Sequence, residues 1–294
     1  MTTPLLGAHM SIAGGVHMAI ERACSIKCTA MQIFVKNNMQ WFAPPLTRQQ
    51  IRIFIEHREH GKLRSIFAHA NYLINLAATN PLFHENSIRA LSEELIRADQ
   101  LGLPFLVLHP GAHLGSGEEA GLEKVIAAIN RVFRQILKTK TRIALETTAG
   151  QGSCLGHSFE QIAYILGKVR TPERLCVCLD TAHVFAAGYD VGSGAGTRRT
   201  FQEFDRVIGL DHLAAIHLND SKTACGSRVD RHEQIGKDKI GLGAFQFVMR
   251  EPRFRKIPKV LETPKGRDLR EDVENLKVLR SLADKAQTRP MTNA

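Results

Sequence analysis

Eight short apolar runs recur along the chain, and this recurrence limits the possible folds more than any other feature. The runs occupy residues 5–11, 30–37, 64–70, 105–111, 142–148, 175–183, 213–220 and 259–265. Between and after them lie longer segments with apolar residues at helical spacing, such as 46–62, 86–102, 118–138, 158–169 and 269–286. The pattern predicts eight strand-then-helix units.

The fold class follows from the character of these runs. They are apolar almost throughout, which is typical of parallel strands covered on both faces. Eight such units favour an α/β fold with a single closed (β/α)8 TIM-type barrel. An open doubly wound sheet is the alternative, but "GAHMSIAGG" after the first strand does not match the GxGxxG phosphate loop.

Neither a linker nor a low-complexity tract divides the 294 residues. We therefore expect one domain over residues 1–287 and a disordered tail over residues 288–294. The longest apolar runs fall short of the ~20 residues of a membrane helix, and the N-terminus does not resemble a signal peptide. The six cysteines form no CxxC pair and are expected to be small buried side chains in a reducing cytoplasm.

The chain is basic, with 39 Lys and Arg against 29 Asp and Glu, a net charge of +10. A positive protein attracts polyanions and accelerates its encounter with them. Many basic proteins bind no nucleic acid, so charge alone leaves that partner open.

Metal-binding side chains end six successive strand candidates, from the third to the eighth. These residues are His69, His109, Glu146, Asp180, His217 and Glu262. In a parallel barrel the carboxyl ends of all strands meet at one face, where the active site forms. A cluster of so many titratable groups without counter-charge would be costly, and metal ions are the natural compensation.

Three further residues enlarge this set. His183 follows Asp180 by three positions, while Asp230 and His232 lie in "GSRVDRHEQIG" after the seventh strand. Alone, that segment could equally be a charged surface loop. Together the nine residues suffice for two or three ions, and imidazole with carboxylate suits zinc, manganese or iron. Multi-metal sites of this kind serve phosphoryl displacement. His9 ends the first strand and could contact the ligands from outside.

Several long motifs in order resemble those of one enzyme family. The chain resembles bacterial endonuclease IV over about residues 5–265. The segments that carry the resemblance are "GAHMSIAGG", "VKNNMQW", "FAHANYLINLA", "LVLHPGAHLGSG", "IALETTAGQGSCLG", "CLDTAHVFAAGYD", "IHLNDSKTACGSRVDRHEQIG" and "VLETP". The resemblance implies a xylose-isomerase-like TIM barrel with three zinc ions, some replaceable by Mn²⁺. It also implies cleavage of the phosphodiester 5′ to an abasic site in duplex DNA, which leaves a 3′-hydroxyl and a 5′-deoxyribose phosphate, and trimming of blocked 3′ ends. We expect a monomer in the cytoplasm, associated with the nucleoid through DNA.

The same resemblance assigns roles to the metal-binding residues. It implies that the first zinc is held by His69, His109 and Glu146, and that Glu146 bridges to a second. The second is also bound by Asp180, His217 and Glu262, and the third by His183, Asp230 and His232. A hydroxide held by the bridged pair would attack the phosphorus, with Glu146 and Glu262 also orienting it as catalytic residues.

DNA contacts are expected on three loops of the metal face. The resemblance places Tyr72 and Leu73 in the duplex near the lesion and gives DNA-facing positions to Asn37, Asn38, Met39, Gln40 and Trp41. Arg228 and Arg231 are candidate phosphate contacts. The family often has arginine where this chain has Met39, an apolar side chain that can fill a gap in the base stack but cannot contact phosphate. Thr147 replaces a common asparagine and is expected to act only through its neighbours.

Two alternatives remain at this stage. A metal-dependent sugar isomerase or epimerase on a similar barrel also uses carboxylates and histidines at strand ends, but it needs neither His183, Asp230 and His232 nor a charge of +10. A DNA-binding barrel without chemistry would have no use for nine ligands.

Overall fold

Eight parallel strands close into a barrel, which confirms the predicted fold class. A computed structural model describes residues 3–283, and the expected tail 288–294 lies outside the described residues. The barrel strands are Leu6–Met10 (β1), Ala30–Phe34 (β2), Ser65–His69 (β3), Phe105–Leu108 (β4), Arg142–Glu146 (β5), Leu175–Asp180 (β6), Leu213–His217 (β7) and Lys259–Leu261 (β10). Two short strands, Asp220–Ser221 (β8) and His232–Glu233 (β9), lie outside the barrel. Around the barrel the strands follow the order β1-β10-β7-β6-β5-β4-β3-β2. The single domain over 1–287 stays a prediction.

Helices follow the strands and cover the barrel. They are Val16–Ser25 (α1), Arg48–His60 (α2), Pro81–Gln100 (α3), Glu118–Gln135 (α4), Phe159–Lys168 (α5), Thr181–Ala187 (α6), Gly194–Val207 (α7), Leu242–Arg250 (α8) and Arg270–Ala283 (α9). The segment predicted at 86–102 begins earlier, because the Asn80 side chain accepts the N–H groups of Leu82 and Phe83 and Pro81 occupies the first helical position.

Strand periodicity explains why the polar strand ends converge. The barrel interior is filled by a small cluster that includes Phe67, Ala144, Cys178, Ala215 and Val260. Successive side chains of a strand point to opposite faces, so the residue two positions further on faces the same way. His69, Glu146, Asp180, His217 and Glu262 each lie two residues beyond one of these interior residues and therefore project into the barrel mouth.

A much larger cluster packs between the strands and the helices, and includes Phe54, Phe159, Phe204 and Phe245. The expectation that all cysteines are buried is only partly right: Cys28, Cys176 and Cys178 are buried, Cys24 and Cys154 are half-buried, and Cys225 is exposed. Cys225 lies in the long loop after β7, outside both clusters. No helix among residues 3–283 has the length and apolarity needed to cross a membrane.

A two-stranded hairpin in the loop after β7 was not predicted. Asp220–Ser221 (β8) pairs antiparallel with His232–Glu233 (β9), with Ser221 opposite His232. The Asp220 carboxylate is fully buried and accepts the N–H groups of Ser221, Ile240 and Gly241. These bonds fold the loop back over the barrel mouth and bring His232 toward the strand ends.

Candidate metal centre and the surrounding loops

Three groups of potential metal ligands lie at the carboxyl ends of the strands. In each group one ligand atom per residue lies within 4.8 Å of those of the other members. The groups are His69, His109 and Glu146; Glu146, Asp180, His217 and Glu262; and Asp180, His183 and His232. Glu146 and Asp180 each belong to two groups, so the three form one connected cluster.

Glu146 lies at the centre of this cluster and is fully buried. Its Oε2 lies 3.1 Å from His69 Nε2 and 3.0 Å from His109 Nε2. Its Oε1 lies 2.9 Å from His217 Nδ1. The two carboxylate oxygens thus face different histidines, which is the arrangement expected of a bridging ligand.

Asp230 faces two histidines of the third group. Its carboxylate oxygens lie 3.1 Å from His183 Nε2 and 3.3 Å from His232 Nε2, whereas Asp180 Oδ2 lies 3.8 Å from His232 Nε2. The structure therefore brings Asp230, His183 and His232 together. It also places Asp180 close enough to be a fourth donor.

The histidine rings are held with one nitrogen facing inward. The outward nitrogens of three rings meet backbone carbonyls: His69 Nδ1 with Ala70 at 2.7 Å, His183 Nδ1 with Thr147 at 2.9 Å and His232 Nδ1 with Glu262 at 3.2 Å. A carbonyl only accepts, so the outward nitrogen carries the proton. In the neutral ring the inward nitrogen then presents its lone pair, as metal-binding histidines require.

The spacing of these donors fits a first-row metal ion. Two ligands bound to one tetrahedral zinc ion at about 2.0–2.1 Å lie roughly 3.3 Å apart. The carboxylate–imidazole contacts in the cluster range from 3.0 to 3.3 Å. They join Glu146 to His69 and His109, and Asp230 to His183 and His232. Imidazoles combined with carboxylates at this spacing are compatible with zinc, manganese or iron.

The electrostatics of the cluster call for positive charge. Burial alone would raise the pKa of Glu146, but the neighbouring His217 and His109 hold that pKa well below its ordinary value. Burial would lower the pKa of His183, but Asp180, Asp230 and Glu146 hold it well above its ordinary value. Glu146 thus stays ionised because cationic groups lie beside it, and a divalent cation supplies that charge directly.

Comparisons with known proteins decide the family. The family described as "Xylose isomerase-like TIM barrel" matches residues 20–282. A probable endonuclease 4 from Geobacter sulfurreducens is 48% identical over 98% of this chain and 97% of its own length, and one from Chloroflexus aurantiacus is 46% identical over 97% and 100%. The solved structure of endonuclease IV from Thermus thermophilus superposes with a TM-score of 0.84 at 35% identity, covering 95% of this chain and 98% of that one.

The chain belongs to the endonuclease IV family. Membership confirms the recognition made from the sequence motifs, and it favours an endonuclease over the sugar isomerase that the strand-end residues alone allowed.

In this family member, two loops of the metal face carry exposed apolar side chains. Met39, in the loop after β2, is 74% exposed, and Tyr72, in the loop after β3, is 61% exposed. The Tyr72 ring lies 5.5 Å from that of His69 and 6.5 Å from that of His109, measured between centroids. Tyr72 therefore stands directly over the first group of ligands.

The other predicted DNA-facing residues differ in exposure. Asn37 and Gln40 are exposed, and Asn38 and Leu73 are half-buried. Trp41 is also half-buried, with its ring 6.2 Å from that of Phe83 at the start of α3. The Trp41 side chain therefore packs against α3 and supports the loop, whereas little of it projects into solvent.

The two arginines of the loop after β7 make different hydrogen bonds. Arg231 is exposed and donates from Nη1 to the carbonyl of Asp230 at 2.5 Å, so part of its guanidinium supports its own loop. Arg228 is exposed, with a positive φ of 55°, and its N–H donates to the carbonyl of Ala186 at 2.8 Å. That bond ties the loop to α6, the helix that carries His183.

Sequence reasoning missed two glutamines that support the ligands. Gln32 contacts both Glu262 and His217, and the Gln151 side chain accepts the N–H of Asp230 at 2.9 Å. A signal existed for Gln32, because it is a polar residue on the inward-facing positions of an otherwise apolar strand.

Thr147 contacts two of the candidate ligands. Its carbonyl meets Nδ1 of the His183 ring at 2.9 Å, and its hydroxyl accepts the N–H of Asp180 at 3.0 Å. Thr147 therefore links Asp180 and His183 to the end of β5.

Proposed function

We propose that this member of the endonuclease IV family is a DNA-repair hydrolase that cleaves the phosphodiester 5′ to an abasic site in duplex DNA. The products would be a 3′-hydroxyl and a 5′-deoxyribose phosphate, and the same site would remove blocking groups from 3′ ends. The single observation that carries the proposal is the connected cluster of ligands around Glu146, open to the face that carries Met39 and Tyr72.

The cluster would hold three zinc ions, with Mn²⁺ able to replace some of them. The first would be held by His69, His109 and Glu146, the second by Glu146, Asp180, His217 and Glu262, and the third by His183, Asp230 and His232. When bound, the ions lower the pKa of water and offset the charge of the phosphate and of the leaving oxygen.

The two carboxylates proposed as catalytic would act differently. Both oxygens of Glu146 are engaged by histidines and none of its side chain is exposed, so its part is to bridge and position. Glu262 is 11% exposed, and neighbouring His217 and His9 outweigh burial and hold its pKa well below the ordinary value. Both Glu262 oxygens also have partners, Gln32 and His217, but its side chain is the more exposed of the two carboxylates, so Glu262 is the one that would accept a hydrogen bond from the attacking water.

Recognition of the lesion would depend on the exposed loops. An abasic nucleotide has lost its base and most of its stacking, so displacing it from the helix costs little. Met39, Tyr72 and Leu73 would fill the gap, as apolar wedges do in other DNA-binding proteins. The surrounding DNA backbone would be contacted by Asn37, Asn38, Gln40, Trp41, Arg228 and Arg231. The net charge of +10 would accelerate the encounter with DNA.

The decisive experiment uses a duplex with one abasic site and an undamaged duplex of the same sequence. Metal-loaded protein should nick only the damaged strand, and a DNA polymerase should extend the nicked 3′ end because it carries a free hydroxyl. A strong zinc chelator should abolish the nick, and added zinc should restore it. A metal-loaded protein that leaves the abasic strand intact would refute the proposal.

The finer points need separate measurements. Elemental mass spectrometry of the native protein should find three zinc ions per chain. A 3′-phosphoglycolate primer should become extendable after treatment if the site also trims 3′ ends. A zinc count of one, or a primer that stays blocked, would overturn the corresponding part.

A further inference from the structure

A buried ion pair lies behind the two exposed loops of the metal face. Lys36 Nζ lies 2.6 Å from Glu94 Oε1, and each side chain is only 1% exposed. Lys36 follows β2, and Glu94 lies within α3. An ion pair at this depth contributes little net stability, because removing both charges from water offsets their attraction. Its position therefore suggests a role other than stability.

The pair is part of a closed ring of contacts, which we call the loop anchor: Lys36, Gln40, Asn71 and Glu94. Lys36 Nζ donates to the carbonyl of Gln40 at 3.0 Å, and Asn71 Nδ2 donates to the same carbonyl at 2.6 Å. The backbone N–H of Asn71 donates to Glu94 Oε2 at 3.0 Å. The ring joins the loop after β2 to the loop after β3 through α3.

The loop anchor holds the peptides next to the two exposed apolar side chains. Met39 directly precedes Gln40, and Tyr72 directly follows Asn71. Met39 and Tyr72 project into solvent, while Lys36 and Asn71 are buried. A buried polar network thus ties together the peptides that carry the two projecting side chains, while ring contacts with Phe34 and His69 hold the Tyr72 ring itself.

We propose that Lys36 and Glu94 are positioning residues for damaged DNA, whose ion pair fixes Met39 and Tyr72 at the separation needed to enter the duplex together. The proposal rests on the proposed function. A loop that is already ordered loses less conformational entropy on binding, so the ion pair acts on affinity for the substrate. Neither residue belongs to the ligand cluster, so the chemical step is left unchanged.

The test uses a double variant, Lys36→Met with Glu94→Gln. This pair of changes leaves no unpaired buried charge, and the new amide still offers an oxygen to the N–H of Asn71. The matched control is Arg131→Met with Glu85→Gln, which removes a bidentate ion pair at 2.7 Å from the same helix α3 without touching either loop. Metal content and thermal unfolding are measured for all three proteins.

Two readouts separate positioning from general damage. Trp41 is the only tryptophan of the chain and lies in the anchored loop, so acrylamide quenching of its fluorescence reports the order of that loop without any substrate. We expect acrylamide to quench Trp41 more strongly in the double variant than in the wild type. In the control, quenching should equal that of the wild type. For the abasic duplex we expect KM to rise about tenfold while kcat changes less than about twofold.

Several results would overturn the inference. It fails if the double variant and the control quench alike, or if kcat falls as much as KM rises. If the wild-type protein does not incise abasic DNA, the proposed function fails, whereas the quenching comparison still decides whether the pair orders the loop. If the double variant does not fold, Asn71→Ala keeps the ion pair and removes the two bonds of the Asn71 side chain, one to the carbonyl of Gln40 and one from the N–H of Leu73. It should raise KM in the same direction.

Discussion

Gln32 and His217 meet at the barrel mouth although 185 residues separate them, and Gln32 Oε1 accepts the Nε2–H of His217 at 2.8 Å. Because an amide oxygen cannot donate, His217 must carry its proton on Nε2 and present the lone pair of Nδ1 to the ligand cluster. The amide nitrogen of Gln32 donates to Glu262 Oε1 at 2.5 Å. One side chain therefore orients two ligands of the proposed second ion.

Replacing Gln32 with leucine should weaken metal binding without removing a ligand. His217 would lose the acceptor that selects its tautomer, and loss of such a partner typically costs about 10–100-fold in metal affinity. Competition with a chromophoric chelator measures this affinity directly. Gln161→Leu, at a buried glutamine of α5, is the control and should keep wild-type affinity. Equal affinities in the Gln32 variant and the wild type would contradict the role assigned to the amide.

Asp230→Asn should remove one of the three ions. Burial would raise the pKa of Asp230, but His183 and His232 lower it to about 2, so the carboxylate is ionised throughout the neutral range. The amide has the same shape without the charge. We expect two zinc ions per chain by elemental mass spectrometry and a fall in kcat of about 100-fold or more, because an ion facing the leaving oxygen is lost.

Binding should be less sensitive than turnover in this variant. A filter-binding assay with the abasic duplex should show a much smaller change than the loss in kcat. Asp211→Asn, an exposed position before β7, serves as the control and should retain all three ions. Normal turnover by the Asp230 variant would refute its proposed role as a ligand.

The strands and their polar ends were predictable because each is a local signal. An apolar run ending in His69, Glu146 or His217 is visible without any knowledge of its partners, and the barrel brings all such ends to one face. The helix start at Pro81 was missed, although Asn80 followed by proline is a recognised start signal.

The supporting contacts were not predictable in the same way. The bond from Gln32 to His217 and the ion pair of Lys36 with Glu94 join residues far apart in sequence, and no spacing rule connects them. The hairpin that carries His232 has only two residues in each strand, which is too short for any periodic pattern to appear.

Met39→Arg should increase affinity for DNA. Met39 is 74% exposed on the face proposed to bind the duplex, and an added guanidinium there can contact a phosphate. We expect about tenfold tighter binding of the abasic duplex at low salt. The slope of the logarithm of the binding constant against the logarithm of the salt concentration should be steeper by about one. Leu137→Arg adds the same charge at a side chain that is 81% exposed beyond the end of α4. An equal gain in both variants would show a general effect of charge rather than a contact by residue 39.

Lys259 should make stability depend on pH in the alkaline range. Its side chain is 2% exposed, its Nζ donates to the carbonyls of Phe254 and Ile257, and burial lowers its pKa from 10.5 to about 8. Between pH 8 and 10.5 the unfolded chain binds a proton that the folded chain does not. The contribution of Lys259 to the free energy of unfolding therefore increases with pH across this window, by about 3 kcal/mol in total, and is constant below it.

Urea unfolding of the metal-loaded protein at pH 7.5 and pH 10 measures this dependence against Lys259→Met. The methionine variant cannot gain stability from deprotonation. Its free energy of unfolding, relative to that of the wild type, should therefore decrease as the pH rises from 7.5 to 10. Lys256→Met, at an exposed position three residues earlier, should show the wild-type dependence because its ammonium remains in water in both states. If Lys259→Met follows the wild-type curve at both pH values, Lys259 does not titrate near pH 8 in the folded protein, which contradicts the pKa of about 8.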